Sequence, residues 1–112
     1  MSTRFDHVSI DKHANVYVDG KCISFNLTFP DGGKKTIGVV LPACITFATD
    51  SAETMEIVAG TCRVRIGSNG QWNSYEAGQR FHVPAQTRFE LETGEPLHYV
   101  CHFESASRAP IS

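Results

Sequence analysis

Several features are missing from this sequence, and each absence removes a class of function. No apolar run approaches the roughly 20 residues a membrane-spanning helix needs, and the opening "MSTRFDHVSI" lacks the apolar centre of a secretory signal. The expected setting is the cytoplasm, with no membrane partner. Basic residues never run longer than Lys34-Lys35, and a formal net charge of -2 offers a polyanion no broad surface. Nucleic-acid binding is not expected. The four cysteines, Cys22, Cys44, Cys62 and Cys101, stand singly in apolar stretches, without the paired spacing of a zinc site. In a reducing compartment they read as small core hydrophobes. There is no G-x-S-x-G, and "PDGGKK" lacks the glycine spacing and the Ser/Thr after lysine that a P-loop requires.

What is present is a period of two. "CISFNLTF", "KTIGVVL", "CITFAT", "MEIVAG", "CRVRIG", "RFHVPA", "RFELET" and "LHYVCHF" are short and rich in β-branched and aromatic residues, and turn clusters such as Asp19-Gly20, Asp31-Gly32-Gly33 and Ser68-Asn69-Gly70 separate them. The chain reads as all-β, one domain over 1–112, with a frayed polar tail at 105–112. Two hairpins are expected, in "FNLTFPDGGKKTIGVVL" and "CRVRIGSNGQWNSYEAG", while "SAETME" suits a short turn.

Within that pattern, "YEAGQRFHVPAQTRFEL" places Gly78, five residues and Pro84 ahead of alternating apolar residues, the rhythm of the second motif of cupin barrels. Metal-binding cupins carry a histidine five residues after that proline, where this chain has Phe89. The first motif is likewise half kept. Glu53 and Gly60 hold the spacing of its glutamate and glycine, but "ITFAT" puts Thr46 and Ala48, or Phe47 and Thr49, where two histidines belong. A metal needs about three converging protein ligands, so no metal is expected. His98 and His102 do not rebuild the site, because four residues on a strand separate them by about 13 Å.

Alternation points Tyr99, Cys101 and Phe103 inward, opposite the two histidines. With Phe47, Phe81 and Phe89 they give flat apolar walls suited to a planar ligand such as a nucleobase, unless those rings simply fill the interior. Glu53 is harder to explain as packing, since an unpaired buried carboxylate is costly. Arg63, Arg65, Arg80 and Arg88 read as outward charges, and Lys21 is a further candidate for holding an anion.

The series "ANVYVDGKCISFNLTFPDGGKKTIGVVLP", "TFATDSAETMEIVAG", Trp72, "YEAGQRFHVPA", "FELET" and "YVCHF" resembles, in order and from about Phe5 to Phe103, the pyrimidine/purine nucleoside phosphorylase family of small cupin-like proteins. The resemblance implies a cupin-like double-stranded β-helix, or jelly-roll barrel, that works without a cofactor. It implies a homodimer and cleavage of nucleosides by inorganic phosphate, a co-substrate, to free base and ribose 1-phosphate. Set against that chemistry, the expected catalytic residues are Glu53, Thr49 and Tyr99. Substrate binding falls to Thr46, Phe47, Met55, Phe81 and Phe89, with Lys21 on phosphate. One departure stands out: the family often reads Pro-Gly-Glu ahead of "TF", where this chain has Pro42-Ala43-Cys44-Ile45. A metal-free binding module without turnover is the alternative reading.

Overall fold

A computed structural model describes residues 3–103, so the expected frayed tail lies outside the described residues. They form strands β1 (Ser9–Ile10), β2 (Asn15–Tyr17), β3 (Cys22–Thr28), β4 (Lys34–Val40), β5 (Ala43–Ala48), β6 (Glu53–Ala59), β7 (Thr61–Ile66), β8 (Asn73–Glu76), β9 (Arg80–Val83), β10 (Arg88–Thr93) and β11 (Leu97–Phe103). The only helical element among them is a 3-10 turn at Val18–Gly20. Among the described residues no helix is long and apolar enough to cross a membrane.

Both expected hairpins form, β3 with β4 and β7 with β8. The first is closed by a turn in which Gly32 N–H donates to Phe29 O and Phe29 N–H to Gly33 O. "SAETME" is not a turn. From Glu53 onward it enters β6, because the alternation that buries Met55 and Ile57 already starts there.

The strands make two sheets, a seven-stranded one ordered β1-β3-β4-β11-β6-β9, with β2 also on β3, and a four-stranded one ordered β5-β10-β7-β8. The interior is the space between two facing sheets, not the inside of a continuously hydrogen-bonded barrel. Register arranges that space in rows. Cys22, Val40 and Leu97 lie side by side across β3, β4 and β11 at one end, and the next row holds Ser24, Gly38, Tyr99 and Ile57. Asn26, Thr36, Cys101, Met55 and Phe81 follow, and Glu53 beside Phe103 ends the series. In the smaller sheet, the row Ile45, Leu91, Val64 is followed by Phe47, Phe89, Ile66.

The rows at the first end are closed by small and aliphatic side chains, of which Cys22, Val40, Leu91 and Leu97 have no exposure at all; in the last row Val83, opposite Glu53, is equally buried. Each large aliphatic side chain closed off there contributes about 1.5–3 kcal/mol. Three of the cysteines join this core, but Cys44 is exposed, since it alternates with the inward Ile45 on β5.

The outer faces differ in chemistry. On the smaller sheet Arg63 pairs with Glu92 and Arg65 with Glu90, and Trp72 lies against both guanidinium groups, 4.4 and 5.0 Å from its ring centre. The larger sheet carries a polar chain in which Lys35 Nζ contacts His102 Nδ1 at 2.8 Å and His102 Nε2 contacts Glu56 at 2.8 Å. Beside it lies an apolar stretch with Ile23, Ile37 and Val58 exposed.

Candidate active site

The aromatic end of the space between the sheets is open, and it forms a cavity of about 380 Å³. That lies at the small end of the roughly 300–1,000 Å³ range of small-molecule sites. One wall is Phe47 of β5 and Phe89 of β10, which face each other across the strand pair and stack with centroids 5.2 Å apart at 24°. Phe89 is almost wholly buried, whereas Phe47 is only partly so and presents its ring to the cavity. Opposite stands the end of the larger sheet, with Glu53, Met55, Tyr99, Cys101 and Phe103 all lining the space.

Glu53 is the most unusual of these groups. Burial pushes its carboxyl above the ordinary value, and a hydrogen bond from the Cys101 thiol on the neighbouring strand partly offsets the rise. Cys101 is itself raised, first by burial and then by the Glu53 charge, so the thiol stays protonated and donates. The carboxylate thus has a donor in the Cys101 thiol and lines the cavity.

Tyr99 behaves differently from the expectation that its hydroxyl meets the ligand. Gly38 sits directly across from Tyr99 on β4 and presents no side chain, and the phenol reaches over it to β3. There its oxygen lies 3.4 Å from Cys22 Sγ and bonds to Ser24. A methyl group on residue 38 would come within 2.5 Å of Ile23 O and 2.8 Å of Ser24 Cβ, so only glycine permits this crossing. Burial is the main reason its phenol is held far above the usual range. Tyr99 is a wall and an anchor.

Thr49 also lines the cavity, yet its hydroxyl donates to Pro84 O at 2.7 Å and accepts from Thr87 N–H at 3.1 Å. It ties the end of β5 to the loop before β10 and so holds Phe47 and Phe89 at their spacing. Three expected ligand contacts are not brought here. Thr46 points to the outer face, because Ile45, Phe47 and Thr49 take the inward positions of β5. Phe81 is packed behind the wall, 4.8 Å from Tyr75 and 6.0 Å from Phe89 between ring centres. Lys21 follows the 3-10 turn and is exposed away from the cavity, its backbone bonded to Val18 and Leu41.

Sequence reasoning gave no site role to Tyr17 and Ser24, which it noted only as matching the family pattern, and it missed Thr36, Asp50 and Ser51; all five line the cavity. Ser24 and Thr36 were signalled by parity, since period two puts them on the same face as the buried Cys22 of β3 and Val40 of β4. Alternation did not place Tyr17: it precedes a turn in which Val18 and Asp19 have φ of 50 and 53°, a conformation that a β-branched valine rarely adopts.

Many cupins hold a metal ion, and these residues do not suit one. Among the described residues no three His, Cys, Asp or Glu side chains gather as a possible ligand set, and the cavity itself is lined by no histidine.

An apolar clamp with one half-buried acid, built on this jelly roll, can be set beside known proteins. The family model for pyrimidine/purine nucleoside phosphorylase matches residues 12–103. The chain belongs to that family. Pyrimidine/purine nucleoside phosphorylases from Thiobacillus denitrificans and Cupriavidus taiwanensis are each 55% identical to it over 102 residues, covering 90% and 91% of this chain and 98% and 97% of theirs. A crystal structure of a protein of unknown function from Acinetobacter superposes with a TM-score of 0.90 at 48% identity, over 92% of this chain and 100% of its own. Oxalate decarboxylase from Bacillus subtilis shares the cupin fold alone, with a TM-score of 0.72 at 12% identity over 97% of this chain and 32% of its own.

Proposed function

We propose that this family member is a phosphorolytic enzyme, a pentosyltransferase of broad specificity. It cleaves the N-glycosidic bond of purine and pyrimidine nucleosides with inorganic phosphate, giving free base and ribose 1-phosphate. The observation that supports this best is the pairing of the Phe47–Phe89 stack with Glu53 across one small cavity. A phosphate oxygen forms a bond to the anomeric carbon, the C–N bond breaks with its electron pair going to the base, and the base takes up a proton. The sugar passes through an oxocarbenium-like transition state. In this reading the base stacks on the free face of Phe47, which Phe89 backs and holds in place, and Glu53 accepts hydrogen bonds from ribose hydroxyls and, when ionised, offsets the developing positive charge. Met55 fills the floor beneath the sugar. A clamp with few base-directed polar groups tolerates both base classes, because strong discrimination comes from buried polar groups that must be matched. No cofactor is required, and a free, exposed Cys44 suits the reducing cytoplasm.

We also infer a homodimer that pairs the apolar outer face of the larger sheet with the same face of a second copy. Ile23, Ile37 and Val58 are 36, 39 and 46% exposed there, without a charge between them on β3 and β4. Sedimentation of a Val58→Lys variant as a monomer, against a wild-type dimer, is the expected result.

The deciding assay follows free base released from uridine, cytidine, adenosine and guanosine, with and without phosphate. Phosphate-dependent release is expected. Release without phosphate would mark a hydrolase, and none at all a binding module.

A further inference from the structure

The described lining of the aromatic cavity offers phosphate no positive charge. Among the described residues two carboxylates, Asp50 and Glu53, line it, and no lysine, arginine or histidine does. A phosphate enclosed there would meet like charge at low dielectric, where repulsion is strongest. Next to it lies a second cavity of about 350 Å³, which shares Thr36, Ser51 and Phe103 with the first. Its remaining lining is polar and basic, including Asn26, Thr28, Lys34 and Lys35, with Asp11 on its rim.

The two lysines are not equivalent. Lys35 is engaged, 2.8 Å from His102 Nδ1 and over the Phe29 ring at 5.4 Å. Lys34 has only a 3.4 Å contact from Nζ to Thr28 Oγ1, and among the described residues no carboxylate pairs with it. Thr28 and Asn26 occupy adjacent inward positions of β3, opposite Lys34 and Thr36 on β4. A lysine without an acid beside two hydroxyls and an amide is a donor set for an oxyanion.

We propose that inorganic phosphate binds in this second cavity, held by Lys34 with Asn26, Thr28 and Thr36, and meets the sugar across the boundary formed by Thr36, Ser51 and Phe103. The assignment rests on the phosphorolytic reading and adds to it a division of labour: base and ribose in the acidic aromatic cavity, phosphate in the basic one. It also gives opposite signs to two rim residues. Lys34 attracts the anion, and Asp11 opposes it.

The test separates the KM for phosphate from the KM for nucleoside and adds calorimetric titration with inorganic phosphate, which needs no turnover. Lys34→Gln is expected to raise the phosphate KM and Kd roughly tenfold, the loss of one charge-assisted hydrogen bond, while the nucleoside KM stays within about twofold. Lys34→Arg recovers most of the affinity, and Asp11→Asn lowers the phosphate KM. Unchanged phosphate affinity in Lys34→Gln, or equal losses for both substrates, would overturn the site while a phosphate-dependent wild type still upheld phosphorolysis. Wild-type base release that ignores phosphate would instead overturn the reading on which the site rests, and the site with it.

Discussion

The two ends of the space between the sheets are built from the same strands and do different things. β11 carries Leu97 at the closed end, with no exposure, and Phe103 at the open end, 36% exposed. β10 likewise runs from Phe89 in the clamp to Leu91 in the core, and β6 from Glu53 to Ile57. The closed end is aliphatic and gains its stability from complete burial. The open end swaps aliphatic side chains for rings and an acid, surrendering some burial to leave a face free. Core and site are thus consecutive rows of one lattice, and a two-residue step along a strand moves a side chain from one to the other.

The comparison can be broken most directly at the closed end. Leu91→Ala removes a fully buried side chain and should destabilise the fold by about 2–5 kcal/mol. Denaturant unfolding would show this as a lower midpoint, with the nucleoside KM of the folded fraction unchanged. At the open end, Glu53→Gln should lower kcat/KM for phosphorolysis on the order of 10²-fold, the usual cost of one well-placed electrostatic group. If Glu53→Gln and Phe47→Ala both leave the rate alone, the site has been put at the wrong end. Phe47→Ala alone should raise the nucleoside KM about tenfold for purines and pyrimidines alike, as one stacking face is lost.

The smallest effect sharpens the contrast. Because burial raises the Glu53 pKa in the folded state, protonation favours the fold: that stabilisation is complete below the ordinary glutamate value and is lost as pH rises through the raised one. Glu53→Gln should therefore melt slightly higher than wild type near neutral pH, with the two curves converging in acid. A substitution that weakens activity and strengthens the fold marks a residue kept for its chemistry.

Much of this was legible in the chain itself. Alternation alone identified the two hairpins and the inward row Tyr99, Cys101 and Phe103, because a strand's side-chain period is two and burial enforces it. Phe47, Glu53 and Phe89 were named from motif spacing and Met55 from the family resemblance, and all four line the cavity. Thr46 was not separable from Phe47, since a loop of unknown length ahead of β5 leaves its inward parity open. Phe81 and Phe89 looked alike as well, and only packing put one behind the other.

What the sequence determined by itself, then, is the all-β lattice and the family, because local periodicity and ordered short motifs are properties of one dimension. Only the tertiary structure decided which side chains are free to act. It placed the Tyr99 hydroxyl on β3 across Gly38, tied the Thr49 hydroxyl to the loop before β10, and left Lys34, among the described residues, without an ion-pair partner while Lys35 met His102. Each of these depends on a partner remote in the chain, and hydrogen bonding and charge pairing are settled by distance in space, which residue spacing does not encode.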